Sequence, residues 1–136
     1  MEFEHILVER NGPFTTITMN RPHRRNALSE AHMRELITGF AQAGDGDAAG
    51  IILAGAGPVF SAGHDFADVA KADLQAARRL LRTCTELMTL IQSVPQPVLA
   101  RVHGLATAAG CQLVASCDLA VAADSAGFAA PGGKGG

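Results

Sequence analysis

The stretch that most constrains this chain is His103–Asp118, HGLATAAGCQLVASCD, set between two apolar runs, Pro97–Val102 and Leu119–Ala123. It opens on Gly104, runs small through Ala106, Thr107, Ala108, Ala109 and Gly110, and continues as CQLVAS, a mostly apolar helical run. So many small residues ahead of a buried helix let the backbone pass close to something. One reading is tight packing of helix on sheet. The other starts from the first N–H groups of the helix, which have no partner within it and together carry roughly half a positive charge. A helix end lined only by alanine and glycine can hold an anionic oxygen against its backbone.

The elements before this stretch follow the same logic. His5–Arg10 reads as a strand, Asn11-Gly12-Pro13 as a turn, and Phe14–Met19 as a half-buried strand in which Ile17 and Met19 alternate with threonines, so the two form a hairpin. A basic loop, Asn20–Asn26, leads to Ser29 as N-cap of a helix whose apolar face is Met33, Leu36, Ile37 and Phe40. After the polar break Gly44–Asp47 comes a short apolar strand, Gly50–Ala54, and a glycine-punctuated loop, Gly55–Asp65. Asp73 caps a long helix to about Ser93, with apolar positions Leu74, Ala77, Leu81, Cys84, Met88 and Ile91 and a solvated face of Arg78, Arg79, Arg82 and Glu86. Pro95 and Pro97 end it. The order strand, strand, helix, strand, helix, strand, helix, strand is α/β. No linker divides residues 1–136, so one domain is expected. The tail, Pro131–Gly136, reads as a flexible end or as a glycine-rich turn lacking its continuation, and the chain looks cut there.

Composition narrows the function classes. A net charge of -2 leaves no electrostatic footprint for nucleic acid, and the absence of Trp and Tyr leaves no large stacking face. No apolar run approaches a membrane span. The opening MEFEHILVER is acidic and resembles neither a signal nor a transit peptide, which points to a cytoplasmic protein. Three cysteines, Cys84, Cys111 and Cys117, without a C-x-x-C pair, read as buried thiols.

Several chemical motifs fail on spacing. Gly55-Ala56-Gly57 follows a strand, but the third glycine of a dinucleotide fingerprint falls on Phe60 and Pro58 sits where its helix should open. In the tail GGKGG, no Ser or Thr follows Lys134, so there is no phosphate loop. The five histidines show no metal-ligand spacing, and Ser116-Cys117-Asp118 forms no nucleophile elbow. Two glycine-alanine loops behind strands remain: Phe60-Ser61-Ala62-Gly63-His64-Asp65 and Thr107-Ala108-Ala109-Gly110. Side by side they would present two backbone N–H donors to one oxygen, as a thioester enolate or tetrahedral oxyanion needs, each worth roughly 3 kcal/mol in the transition state. Taken alone, His64 reads first as a polar loop residue.

Four segments in order, RPHRRNAL (Arg21–Leu28), IILAG with FSAGHD (Ile51–Asp65), PQPVLARVHGLATAAGCQLVASCDLAVAA (Pro95–Ala123) and FAAP (Phe128–Pro131), resemble the N-terminal part of the crotonase superfamily, the enoyl-CoA hydratase/isomerase family. The resemblance implies a crotonase-like (ClpP/crotonase) spiral of β-β-α units, truncated before the C-terminal helices that cap the site and build a trimer or hexamer. It implies an acyl-CoA substrate, with coenzyme A entering as part of that substrate and no other cofactor or metal. The oxyanion hole would be the N–H groups of His64 and Ala109. Arg24, Ala27 and Leu28 would lie under the bend of the CoA. Ala62, Gly63, His64, Asp65 and Phe66 would lie near the adenine, and Leu105, Ala109, Pro131 and Gly132 would complete the substrate contacts. Arg24 and Arg25 suit phosphates.

The departures from the family pattern bear on chemistry. Gln112 stands where hydratases carry one glutamate, and Gly132 where they carry the second. Hydration needs a base for water and an acid for carbon, and neither residue transfers a proton at neutral pH. The family's glycine pair is Ala108-Ala109 here, which leaves the Ala109 N–H intact. The S-A-G-H-D loop resembles methylmalonyl-CoA decarboxylase-like members, whose chemistry asks for enolate stabilisation more than for a strong base. Three expectations follow: an acyl-CoA enzyme of this family with divergent chemistry, a CoA-thioester decarboxylase using His64, or a non-catalytic acyl-CoA-binding paralogue.

Overall fold

The computed structural model describes residues 2–65, 67 and 73–131. The strands, in chain order, are β1 (Ile6–Asn11), β2 (Phe14–Met19), β3 (Gly50–Gly55), β4 (Val59–Ser61), β5 (Val98–Val102), β6 (Leu105–Thr107), β7 (Leu119–Ala122) and β8 (Phe128–Ala129). The helices are α1 (Glu30–Gly44), α2 (Leu74–Ser93) and α3 (Ala109–Ser116), with a 3-10 turn at Pro22–Arg24. Five strands form one sheet in the order β1-β2-β3-β5-β7, and three form a second in the order β4-β6-β8. β1 pairs antiparallel with β2. The remaining pairs are parallel, because a helix or a long excursion separates each strand from the next in the same sheet.

The local signals act where the sequence places them. Gly12, at φ +58, turns the hairpin so that Asn11 faces Phe14. The Ser29 hydroxyl accepts from the His32 N–H at 3.1 Å, and the Asp73 carboxylate accepts from Gln75 and Ala76 at 2.9 and 3.3 Å. Gln96 satisfies the other end of α1: its amide nitrogen donates to the carbonyls of Ala43, Gly44 and Gly46. At the start of β1, the Glu35 carboxylate of α1 accepts from the backbone N–H groups of Glu4 and His5, which ties strand to helix.

The core runs between the large sheet and the α1–α2 pair. Ile17, Met19, Leu36, Phe40, Ile51, Leu53 and Leu87 are fully buried. Each such side chain contributes about 1.5–3 kcal/mol relative to exposure. Phe60 of β4 is also fully buried and pins the small sheet to this core.

Two expectations about elements need correction. The buried face of α2 is Leu80, Thr83, Cys84, Leu87, Met88 and Ile91, whereas Leu74 and Leu81 are exposed. The buried positions of α2 begin at Leu80, and the turn before it is exposed at Leu74. The short strands β4, β6 and β8 replace what reads in the sequence as loop. At two or three residues they carry no alternation to detect, and their parallel ladders supply their order. On the other edge, β7 is exposed along its whole length, with Leu119 at 64% and Val121 at 59%.

Candidate functional site

The first loop is built by Arg21–Leu28 and Ala62–Asp65 running side by side. Leu28 N–H donates to Gly63 O at 2.7 Å, Asp65 N–H to Leu28 O at 3.0 Å, and Ala62 N–H to Arg25 O at 3.0 Å. Leu28 and His64 thereby form a parallel bridge in which the atoms facing Leu28 belong to Gly63 and Asp65. In a trans peptide the N–H points opposite to the carbonyl, and the Gly63 carbonyl faces Leu28, so the His64 N–H is turned to the other edge. Asn26 is the pin of this arrangement. Its amide donates to the carbonyls of Ala56, Val59 and Phe60, and its side-chain oxygen accepts from the Arg21 N–H at 2.8 Å. Ser61 adds a bond from its hydroxyl to Asn26 O at 2.9 Å. Arg25 and Asn26 both sit at positive φ, which folds RPHRRNAL into a compact bracket.

The second loop leaves β6 through Ala108, at φ 53 and ψ -123, and enters α3 at Ala109. The Ala109 N–H is therefore one of the first-turn donors that a helix does not use itself. The glycines here are required by close approach. A methyl on Gly110 would collide with the Ser61 carbonyl, and one on Gly104 with the Pro58 carbonyl. The two loops touch at Gly63, whose φ is +92. A methyl there would lie 3.0 Å from both Thr107 O and Ala108 Cβ and 3.3 Å from Ala109 N. The segments Gly63-His64 and Ala108-Ala109, 45 residues apart in sequence, are thus packed backbone to backbone.

The remaining residues singled out from the sequence lie as follows. Leu28 is fully buried beneath the first loop, and Ala27 and Ala62 are half-buried. Leu105, Gln112 and Pro131 are exposed. Gln112 is on the first turn of α3, its N–H bonded to Ala108 O at 3.1 Å. Phe66 and Gly132 lie outside the described residues. Arg25 is exposed, whereas Arg24 turns part of its guanidinium onto Asp65 at 3.2 Å. Asp65 is buried and also meets Arg21 at 3.4 Å. Sequence reasoning gave no role to Arg21, Asn26 or Ser61. The signal for them was only their place within the matching segments.

The electrostatics favour a fixed, neutral ring beside an ionised clamp. Burial pulls the His64 pKa below its ordinary value, against a backbone hydrogen bond with Leu28, so the imidazole is neutral at neutral pH. Burial pushes the Asp65 carboxyl up, but the Ala67 N–H, Arg24 and Arg21 together outweigh it and hold the group below the usual range. His32, fully buried beneath the same bracket, is lowered to about 4, mainly by burial. As a neutral ring its Nδ1–H donates to Ala27 O at 2.9 Å. Burial raises Cys84 and, with the nearby Asp118 charge, pushes Cys117 up to about 12, so both thiols are inert.

The family model described as enoyl-CoA hydratase/isomerase matches residues 9–136. The chain is 46% identical over 128 residues to the zebrafish (Danio rerio) protein named enoyl-CoA hydratase domain-containing protein 3, mitochondrial, covering 93% of this chain and 44% of that one. The mouse (Mus musculus) protein of the same name is 49% identical over 120 residues, covering 85% and 39%. Among solved structures, an enoyl-CoA hydratase from Mycobacterium smegmatis superposes with a TM-score of 0.92 at 43% identity, over 98% of this chain and 53% of that one. Human enoyl-CoA hydratase domain-containing protein 3 superposes with a TM-score of 0.91 at 39% identity, over 96% and 53%. The chain thus spans about half the length of these relatives, and its fold is crotonase-like. The expectation of a cytoplasmic protein is overturned by the zebrafish, mouse and human relatives, which carry mitochondrial names. The acidic opening residues lead into β1 and so report on the folded domain, whereas compartment signals are separate from it. With the match running from β1 to the last residue and the same fold in every one of these structures, the chain belongs to the enoyl-CoA hydratase/isomerase family.

Proposed function

We propose that this chain binds an acyl-CoA thioester and polarises its carbonyl oxygen between the backbone N–H groups of His64 and Ala109. The observation that carries the reading is the contact of Gly63 with Thr107, Ala108 and Ala109, which puts the two donor segments against each other. Two such donors fixed before substrate arrives stabilise an enolate or oxyanion without reorganising at the moment of reaction. The half-buried Ala27 and Ala62 and the outer face of Arg24 border the loop pair, where the nucleotide end of CoA would lie. Coenzyme A is part of the substrate, and this chemistry calls for no other cofactor.

Hydration by this chain is weak. Gln112, on the first turn of α3, holds the place of a proton-transferring glutamate and offers an amide. A second reading, CoA-thioester decarboxylation, has one observation in its favour: the neutral His64 ring sits on the donor loop itself, and the neighbouring Asp65 carboxylate is taken up by Arg21 and Arg24. The protein assembles as a homotrimer or hexamer, and exposed Leu105, Leu119, Val121 and Phe128 mark apolar surface for further cover. The mitochondrial relatives bring the same compartment to this chain.

Turnover of crotonyl-CoA and of methylmalonyl-CoA, measured beside acyl-CoA binding, tests the proposal. Binding with little crotonyl-CoA hydration is expected. Decarboxylation of methylmalonyl-CoA would select the second reading. Binding without any turnover would leave a non-catalytic acyl-CoA-binding paralogue, and absence of acyl-CoA binding would refute the proposal.

A further inference from the structure

The loop bearing His64 belongs to no long strand or helix. Three backbone hydrogen bonds to Arg25 and Leu28 hold its path, and such bonds at a sheet margin open easily. A side chain adds a further anchor. The Asp65 carboxylate, 8% exposed, lies between Arg21, 12% exposed, and Arg24, 46% exposed. Arg24 reaches both carboxylate oxygens, at 3.2 and 3.3 Å. Arg21 reaches one of them at 3.4 Å while donating to Ala27 O at 2.8 Å and to Ser29 Oγ at 3.3 Å. One guanidinium therefore ties together the start of α1, the bracket and the residue that follows His64. The arrangement is costly to leave half-made, because a buried charge without its partner is strongly unfavourable.

We infer that Asp65, clamped by Arg21 and Arg24, is a positioning residue that fixes the direction of the His64 N–H; this rests on the oxyanion-hole reading for its functional consequence. The Asp65 carboxylate is taken up by the two guanidinium groups and by the Ala67 N–H. It acts through the backbone of its neighbour, and its partners Arg21 and Arg24 lie on the same bracket as Leu28, so the clamp adds a side-chain tie to the Leu28 ladder. Arg24 adds a link to ligand binding. Its exposed face remains open to an anionic group of the substrate while its inner face holds Asp65, so the charge state of one end is felt at the other.

The test compares wild type with Asp65→Asn, which keeps the shape and loses the charge, and with Arg24→Gln, which leaves the buried Arg21 in place should the first variant fail to fold. Amide hydrogen exchange is read at His64 and Asp65 against α1 and β3. Binding of butyryl-CoA is read against binding of CoA itself. The expected result is exchange at least about tenfold faster at His64 and Asp65 in Asp65→Asn, with α1 and β3 unchanged, and a smaller local rise in Arg24→Gln. The preference for butyryl-CoA over CoA should fall by about tenfold in Asp65→Asn, the worth of one well-placed hydrogen bond. Wild-type exchange in this segment, or a rise spread evenly over α1 and β3, overturns the inference. If wild type itself shows no preference for the thioester, the acyl-CoA reading fails, and the exchange contrast still decides the clamp.

Discussion

Ala108 offers a direct measure of the strain built into the second loop. Its φ of 53 and ψ of -123 place an L residue where glycine is at ease. A residue held in such a region costs about 1–3 kcal/mol. Ala108 is exposed, so replacing its methyl by hydrogen forfeits little burial. Glycine returns about 0.5–1 kcal/mol of that gain through the larger freedom of the unfolded chain. The net expectation for Ala108→Gly is a stabilisation of about 1 kcal/mol, or roughly 4 °C in Tm for a chain of this length. Urea unfolding followed by circular dichroism measures it. The midpoint should rise while the slope stays constant, since the surface exposed on unfolding is unchanged. A midpoint that falls at constant slope would mean that Ala108 is unstrained and that its methyl is a packing contact, and the account of the loop would be wrong.

Further consequences are as direct. Gly63→Ala adds a methyl that must meet Thr107 O and Ala108 Cβ at 3.0 Å, on a residue at φ +92; strain and overpacking together should cost about 2–5 kcal/mol in urea unfolding, and a cost under about 1 kcal/mol would show the loops apart. His32 is neutral in the fold and titrates at about 4, so between pH 6.5 and 4 the unfolded chain binds a proton that the folded one refuses. Stability should therefore fall by roughly 3 kcal/mol as the pH drops through that window, and His32→Asn should flatten the slope; an unchanged pH profile would refute the assignment. Gln112→Glu combined with Gly132→Glu should raise crotonyl-CoA hydration more than either change alone, since acid and base act on one water, whereas robust wild-type turnover indifferent to Gln112→Ala would place proton transfer elsewhere.

Legibility in the sequence followed the range of the interaction. The Asn11-Gly12 turn and the caps Ser29 and Asp73 depend on residues within three or four positions, and all act as read. The face of α2 departs from the sequence reading at Leu74 and Leu81, because a helix alone does not say where its neighbour lies. The strand β6 hides in a run of small residues, and β4 in a glycine-rich loop. Nothing local distinguishes three extended residues from a turn. The fold class and the pair of loops were nevertheless legible, because glycine and alanine behind strands are required by approaches such as that of Gly110 to Ser61. The Asp65 clamp was not. Arg24 reads as a phosphate ligand when its sequence neighbours are all that is known, and its carboxylate partner lies 41 residues on. The compartment was illegible for a different reason, since the residues that fold carry no address.

The central claim is that a thioester carbonyl is held between the N–H groups of His64 and Ala109. The measurement that reaches it most directly is the infrared carbonyl stretch of butyryl-CoA labelled with carbon-13 at the thioester carbon, taken as a difference between bound and free ligand. Two convergent donors draw charge onto the oxygen and weaken the double bond. The expected result is a band shifted to lower frequency and narrowed in the complex. A bound ligand whose carbonyl band stays at its position in water would contradict it.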